Sequence, residues 1–281
     1  MTPPSPPPSS AGQLGKLVLA YATESGVADG RVRKWISFMV IGGALNRAGK
    51  GDTPPFTIKG GVALELRLRT KARATKDLDL IVNHAEAGLL QELDGALADG
   101  YEGFGFRRKA AVRDLGNGAI RVEIAVDYRG GTWGTVPVDL ARFESGRTEV
   151  DLVDGMPLDK FGLVGPHQLP CLALRFHVAQ KIHGMTRPSA TEWTNDRERD
   201  LIDLLLLEEL VSDYQALNEA CVEVFGVRGQ HQWPPAGPLP PEWALPVITL
   251  AREYDISVEN YEEASERVLS FIRRIAAAGH A

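Results

Sequence analysis

Strand-like alternation of apolar and polar residues recurs, between helical stretches, in the first 165 positions of the chain and almost vanishes after "FGLVGPHQLP". A period of two calls for a half-buried sheet, and a period near 3.6 calls for helices with an apolar stripe. The chain therefore reads as α/β (α+β): a segment that mixes strands and helices, then a helical one. Its 281 residues suffice for one large domain or two ordinary ones. The expected division is a Pro/Ser tail at 1–13, disordered by composition, a mixed domain at 14–165 and a helical domain at 166–281.

Within the first segment, residues 14 to 48 carry apolar positions at helical spacing and end in glycine. "FTIK" and "DLDLIV" read as strands, and "EAGLLQELDGALADG" as an amphipathic helix. "VALELRLR" fits either period: Val62, Leu64, Leu66 and Leu68 alternate, yet Leu64 and Leu68 also share a helix face. "AIRVEIAVDY", "RGG" and "TVPVDLARF" read as two strands joined by a tight turn. In the second segment "CLALRFHVAQKIHGM", "NDRERDLIDLLLLEELV", "DYQALNEACVEVFG" and "EEASERVLSFIRRIAAAG" read as helices, interrupted by the Pro-rich "WPPAGPLPPEWALP".

Composition narrows the setting. A hydrophobic content of 44% with 24% charge is that of a soluble globular chain. No apolar run approaches the roughly 18 residues of a membrane span, so no membrane partner is expected. "MTPPSPPPSSAG" lacks the basic and apolar regions of a signal peptide. Cys171 and Cys221 sit among apolar neighbours, which suits a reducing, cytoplasmic setting and excludes a paired-cysteine zinc site. The net charge of −6 means that a nucleic acid could be held only by a local basic patch. "RLRTKARATK", Arg107-Arg108-Lys109 and Arg273-Arg274 are candidate patches.

Asp77 and Asp79 are the first chemical signal. On a strand, residues two apart share a face, and two carboxylates on one face repel unless a cation lies between them. Magnesium suits that place, being a hard ion satisfied by carboxylates and substrate phosphates. An isolated Asp-x-Asp reads first as a solvated strand face. Four further features point to chemistry. Gly60-Gly61 lets the backbone approach a ligand, and a helix beginning there would present free N–H groups to an anion. Asp139 lies in a second strand-like run and would complete a two-metal site, with Glu123 and Asp127 as competitors. Lys181 sits in an apolar helix and either snorkels to water or binds phosphate. Asp200 and Asp203 share a helix face beside Arg197 and Arg199, an arrangement that a salt-bridged surface would also give. No P-loop, dinucleotide motif or Ser-His-Asp order is present.

Together these elements resemble the AbiEii/AbiGii-type nucleotidyltransferase toxins of the DNA polymerase β-like superfamily, with the mycobacterial MenT-like enzymes among them. The resemblance rests on Lys59-Gly60-Gly61, Arg73-Ala74-Thr75, Asp77-Leu78-Asp79, Val138-Asp139, Ala179-Gln180-Lys181-Ile182-His183 and Arg199-Asp200-Leu201-Ile202-Asp203. It spans residues 15 to 210. Two features depart from the family pattern: the interval Val62–Lys76 is long, and Gln180 stands where an acidic residue is common.

The resemblance implies a bilobed fold, with a polymerase β-like nucleotidyltransferase core built on a mixed sheet and a C-terminal helical lobe. It implies that Asp77 and Asp79 hold magnesium, that Lys181 contacts the triphosphate and that Asp203 organises that lysine. With these transfers, Lys59, Gly60, Gly61, Thr75 and Lys181 are the expected NTP contacts, and Asp139 the third metal ligand or base. The resemblance implies a toxin of a toxin–antitoxin or phage-defence pair that adds NMP to the tRNA 3′ end, with an antitoxin encoded nearby. The chain is read as a monomer. Nucleotidylation of a small molecule or protein side chain, or a non-catalytic binding module on the same fold, are the alternatives.

Overall fold

Ser10 starts the first helix by accepting a hydrogen bond from the amide of Gln13 at 3.2 Å. The computed structural model describes residues 6–49, 54–83, 88–116, 118–142, 149–190 and 193–279. Helix α1 (Ala11–Ser25) buries Leu14 and Val18. The tail expected at 1–13 is therefore shorter than its composition suggests. The buried Tyr128 hydroxyl donates to the Pro8 carbonyl at 2.8 Å, which ties the segment down. Residues 1–5 lie outside the described residues.

Helix α2 (Asp29–Arg47) is buried along most of its length, from Val32 to Leu45. It is followed by strand β1 (Phe56–Lys59), helix α3 (Gly60–Leu68), strand β2 (Leu78–Val82) and helix α4 (Leu89–Leu97). The helix expected over "EAGLLQELDGALADG" begins at Glu86 and Ala87, which lie outside the described residues. The ambiguous "VALELRLR" is helical, and Val62, Leu64, Leu66 and Leu68 are all buried. Strands β3 (Phe104–Gly116), β4 (Ala119–Tyr128), β5 (Gly131–Arg142), β6 (Val150–Asp154) and β7 (Gln168–Leu172) complete the sheet elements.

Among the described residues the strands form one seven-stranded mixed sheet in the order β3-β4-β5-β2-β1-β7-β6. Strand β2 runs antiparallel to β1 and parallel to β5. The hairpin β4–β5 turns on Arg129 and Gly130, both at positive φ, as a two-residue hairpin with right-handed strand twist requires. Alternate residues Val122, Ile124 and Val126 of β4, and Val136, Val138 and Leu140 of β5, enter a core shared with α1, α2 and α4. That leaves Arg121 and Asp139 on the opposite, polar face.

Strand β7 replaces the start of the helix expected from Cys171. Helix α5 (Leu174–Thr186) begins only after Ala173. The chain divides into two compact units: Met1–Arg69 with Ala74–Leu172, and Thr70–Arg73 with Ala173–Ala281. The division follows β7 rather than Pro166, and the four residues Thr70–Arg73 leave the first unit for the second. The second unit consists of α5, α6 (Glu198–Leu207), α7 (Tyr214–Arg228), α8 (Ala244–Glu253) and α9 (Tyr261–Ala278). Its amphipathic logic is plainest in α9, where Tyr261, Ala264, Val268, Phe271, Ile272 and Ile275 are buried at three- and four-residue spacing. Helix α8 begins inside the expected Pro-rich loop, at Ala244, and holds Pro246 in its first turn, where the missing N–H costs no helical hydrogen bond.

Candidate active site

The sheet register aligns four charged residues in one row. Lys59 is the cross-strand partner of Asp79, Asp79 of Asp139, and Asp139 of Arg121. Directly paired residues on neighbouring strands project to the same face. The row across β1, β2, β5 and β4 is therefore cation, carboxylate, carboxylate, cation. Asp77 stands just before β2 and joins the row through Arg121.

Arg121 donates from Nε to Asp139 Oδ1 at 2.5 Å, and from Nη2 to Asp139 Oδ2 and Asp77 Oδ2, each at 2.8 Å. The hydrogen bonds to Asp139 raise the guanidinium above its ordinary value. Burial opposes them, and the charges of Asp139, Asp77 and Asp79 add to the rise. All three carboxylates thus act on one cation. Among the described residues no set of three or more His, Cys, Asp or Glu side chains is gathered as a ready-made metal cage. The carboxylates are arranged around a guanidinium.

Gly60 and Gly61 are required by close contact. Gly60 has φ +59°, and a Cβ there would lie 2.0 Å from Asp79 Oδ2. A Cβ on Gly61 would lie 2.4 Å from Thr75 Oγ1. The start of α3 is thereby pressed against Asp79 and Thr75, with Lys59 at its N-cap. The first N–H groups of a helix have no partner within it, so they face outward beside these carboxylates. Thr75 Oγ1 is 3.3 Å from both Asp77 O and Asp77 Oδ1. Lys34 Nζ, from α2, lies 3.5 Å from the carbonyls of Thr75 and Lys76. Burial and Lys76 lower its pKa, against Asp77 and Glu65.

The first unit thus brings Lys59, Gly60, Gly61, Thr75, Asp77, Asp79 and Asp139 together. Glu123 stands apart, paired with Lys109 at 2.7 Å on the exposed part of β4. Asp127 lies beyond it near the hairpin turn, opposite Thr132.

The second unit holds the other expected residues. Lys181 does not snorkel to water. It is buried, with Nζ 2.7 Å from both Asp200 Oδ1 and Asp203 Oδ2. Arg73 grips Asp203 through Nε and Nη2 at 2.9 to 3.2 Å. Burial alone would lower the Lys181 pKa, but Asp200 and Asp203 outweigh it and hold the ammonium above its usual value. Burial would likewise raise Asp203, yet Lys181 and Arg73 hold it below the usual carboxylate value. His177 and His183 of α5 are buried. Two residues escaped the sequence reading. Arg121 could have been found only from the β4–β5 register, and Lys34 only from the tertiary approach of α2 to the Thr75 loop.

Comparison with known proteins identifies the family and the fold. A family model described as nucleotidyl transferase AbiEii toxin, type IV toxin–antitoxin system, matches residues 44–277. The solved structure of MenT4, a nucleotidyltransferase toxin of Mycobacterium tuberculosis H37Rv, superimposes with a TM-score of 0.56 at 18% identity. That match covers 96% of this chain and 99% of MenT4, and shows a shared fold. An antigenic nucleotidyltransferase-like protein from Paracoccidioides brasiliensis matches with a TM-score of 0.40 at 14% identity, over 69% of this chain and 88% of that one. No curated protein sequence matched. With more than half its length inside the family model, the chain belongs to the AbiEii nucleotidyltransferase toxins of type IV toxin–antitoxin systems.

Proposed function

We propose that the protein transfers NMP from an NTP to an acceptor hydroxyl, with magnesium held by Asp77, Asp79 and Asp139. The reading is carried by one observation: Asp79 and Asp139 are paired across adjacent strands, with Asp77 and the Gly60-Gly61 helix start beside them. The donor set fits the ion, since it consists of hard carboxylate oxygens already arranged about a positive charge. Magnesium, when bound, would neutralise phosphate charge at the reacting centre. Asp77 and Asp79 would hold it there, and Asp139 would serve as a further ligand or as the base for the acceptor hydroxyl. The α3 N–H groups, Lys59 and the Thr75 hydroxyl receive the phosphates. The acceptor oxygen bonds to the α-phosphorus, the bond to the β-phosphate oxygen breaks, and pyrophosphate leaves. The acceptor's proton passes to a carboxylate or to solvent.

The acceptor in this reading is the tRNA 3′ end, and the toxin's cognate partner is an antitoxin, as the toxin–antitoxin family implies. No helix among the described residues is long and apolar enough to cross a membrane. Cys171 and Cys221 are free and buried, which supports a reducing cytoplasm. A second acceptor class, a small molecule or protein side chain, draws support from the basic runs. Arg67 pairs with Asp151, Arg108 with Asp94, Lys109 with Glu123, Arg273 with Glu266 and Arg274 with Glu208. Much of their charge is answered within the chain. The test is incubation of purified protein with labelled NTPs, Mg²⁺ and total tRNA. Label at the tRNA 3′ end is the expected result. Label on protein, or none on RNA, would move the assignment to the second class.

A further inference from the structure

We propose that Arg121 is a built-in counter-ion that occupies the cation position between Asp77 and Asp139 and must swing out for a divalent metal to enter. The proposal rests on the metal-dependent reading of the same carboxylates and adds a residue outside the family motifs. Three observations carry it. The Arg121 guanidinium touches three oxygens of two carboxylates, Asp139 on β5 and Asp77 just before β2, at 2.5 to 2.8 Å. Asp79 stands at the register position beside Asp139, so a third carboxylate adjoins the same cation position. The arginine is also free to leave: about a third of its side chain faces solvent, and it sits on the polar face of β4.

The physical consequence is twofold. Without a divalent ion, Arg121 holds Asp77 and Asp139 in place and relieves their repulsion. When a divalent ion arrives, the same positive charge opposes it at close range. Arg121 is thus a positioning residue that sets the metal concentration at which the site loads. Lysine is a poor substitute, because a single ammonium cannot span both carboxylates as a planar fork does.

Two measurements test this without relying on turnover. Mn²⁺ binding to the full chain is followed by the loss of the free-ion electron paramagnetic resonance signal. Arg121→Gln should bind Mn²⁺ about tenfold or more tightly than the wild type, and Arg121→Lys should fall between them. Equal or weaker binding by a folded Arg121→Gln chain would overturn the proposal. If that variant does not fold, the wild-type chain decides. The Arg121 Nε proton, assigned by its loss in Arg121→Lys, should exchange slowly without metal and rapidly at saturating Mg²⁺. Persistent protection at saturation would show that Arg121 stays on Asp139, and the proposal fails. Asp79→Asn separates the two levels. If wild type binds Mn²⁺ and Asp79→Asn does not, the metal reading stands whatever Arg121 does. If neither binds, both fall.

Discussion

The two units of the chain use the same residue types in opposite environments. In the first, Arg121 meets Asp77 and Asp139 with side chains that are 34%, 32% and 17% exposed. In the second, Lys181 and Arg73 meet Asp203, which is fully buried, and Lys181 is only 9% exposed. Charges near water can exchange partners at small cost, while a buried charge cannot lose its partner without a large penalty. The first cluster is therefore suited to receiving ligands. The second is suited to fixing α5, α6 and the Thr70–Arg73 segment in one arrangement. Both clusters follow from an Asp-containing sequence motif, and only burial tells them apart.

The largest expected effect breaks the buried cluster. Asp203→Ala leaves Lys181 and Arg73 without their shared carboxylate and should cost about 3–5 kcal/mol in urea unfolding. Asp77→Ala, on the exposed side, should change stability by no more than about 1 kcal/mol while lowering nucleotide transfer about a hundredfold or more. Equal stability losses in the two variants would erase the distinction.

Gly60→Ala comes next. The left-handed backbone and the clash with Asp79 Oδ2 should cost about 1–3 kcal/mol. Displacing Asp79 or the helix start by an ångström should also cost transfer about a hundredfold. A melting temperature and transfer rate like those of the wild type would show that the contact is not used.

A smaller effect concerns pH. Asp203 is held below its ordinary 3.8, so its contribution to stability is present above that value and lost as pH falls through the folded value. Lys181 is held above its ordinary 10.5, so its contribution is present below that value and lost as pH rises through the folded one. Urea midpoints measured across pH should lose part of their acid limb in Asp203→Asn and part of their alkaline limb in Lys181→Met. Unchanged limbs would mean that the network does not titrate with folding. The smallest effect belongs to Glu123→Gln. This exposed pair with Lys109 should contribute less than about 1 kcal/mol, with transfer retained. Loss of transfer would move the third carboxylate from Asp139 to Glu123.

The sequence revealed much of this, but unevenly. Asp77 and Asp79 were legible because a strand's period of two puts them opposite the buried Leu78, Leu80 and Val82. The helix at Gly60 was legible only as one of two periods, and packing decided it. Strand β3 gave little signal because it is an edge strand whose residues beyond Arg108 are exposed, so burial left no alternation to read. Strand β7 was hidden by Pro170 and by the apolar run that continues into α5. Arg121 was out of reach for a sharper reason. Counting outward from the Tyr128–Gly131 pair without interruption sets Arg121 opposite Val138, on the wrong face. A bulge between Val126 and Asp127 shifts the register and brings Arg121 to Asp139. The Lys181–Asp203 contact was legible as a motif, whereas its burial was not.

The most direct test of the contrast is Asp79→Asn, assayed in parallel for thermal unfolding and for transfer of labelled NMP in the presence of Mg²⁺. Asparagine matches aspartate in shape and removes one of the two adjacent carboxylate charges, Asp79 beside Asp139, that repel each other. The account predicts a melting temperature equal to or above that of the wild type, with transfer lost. Transfer close to that of the wild type would contradict it.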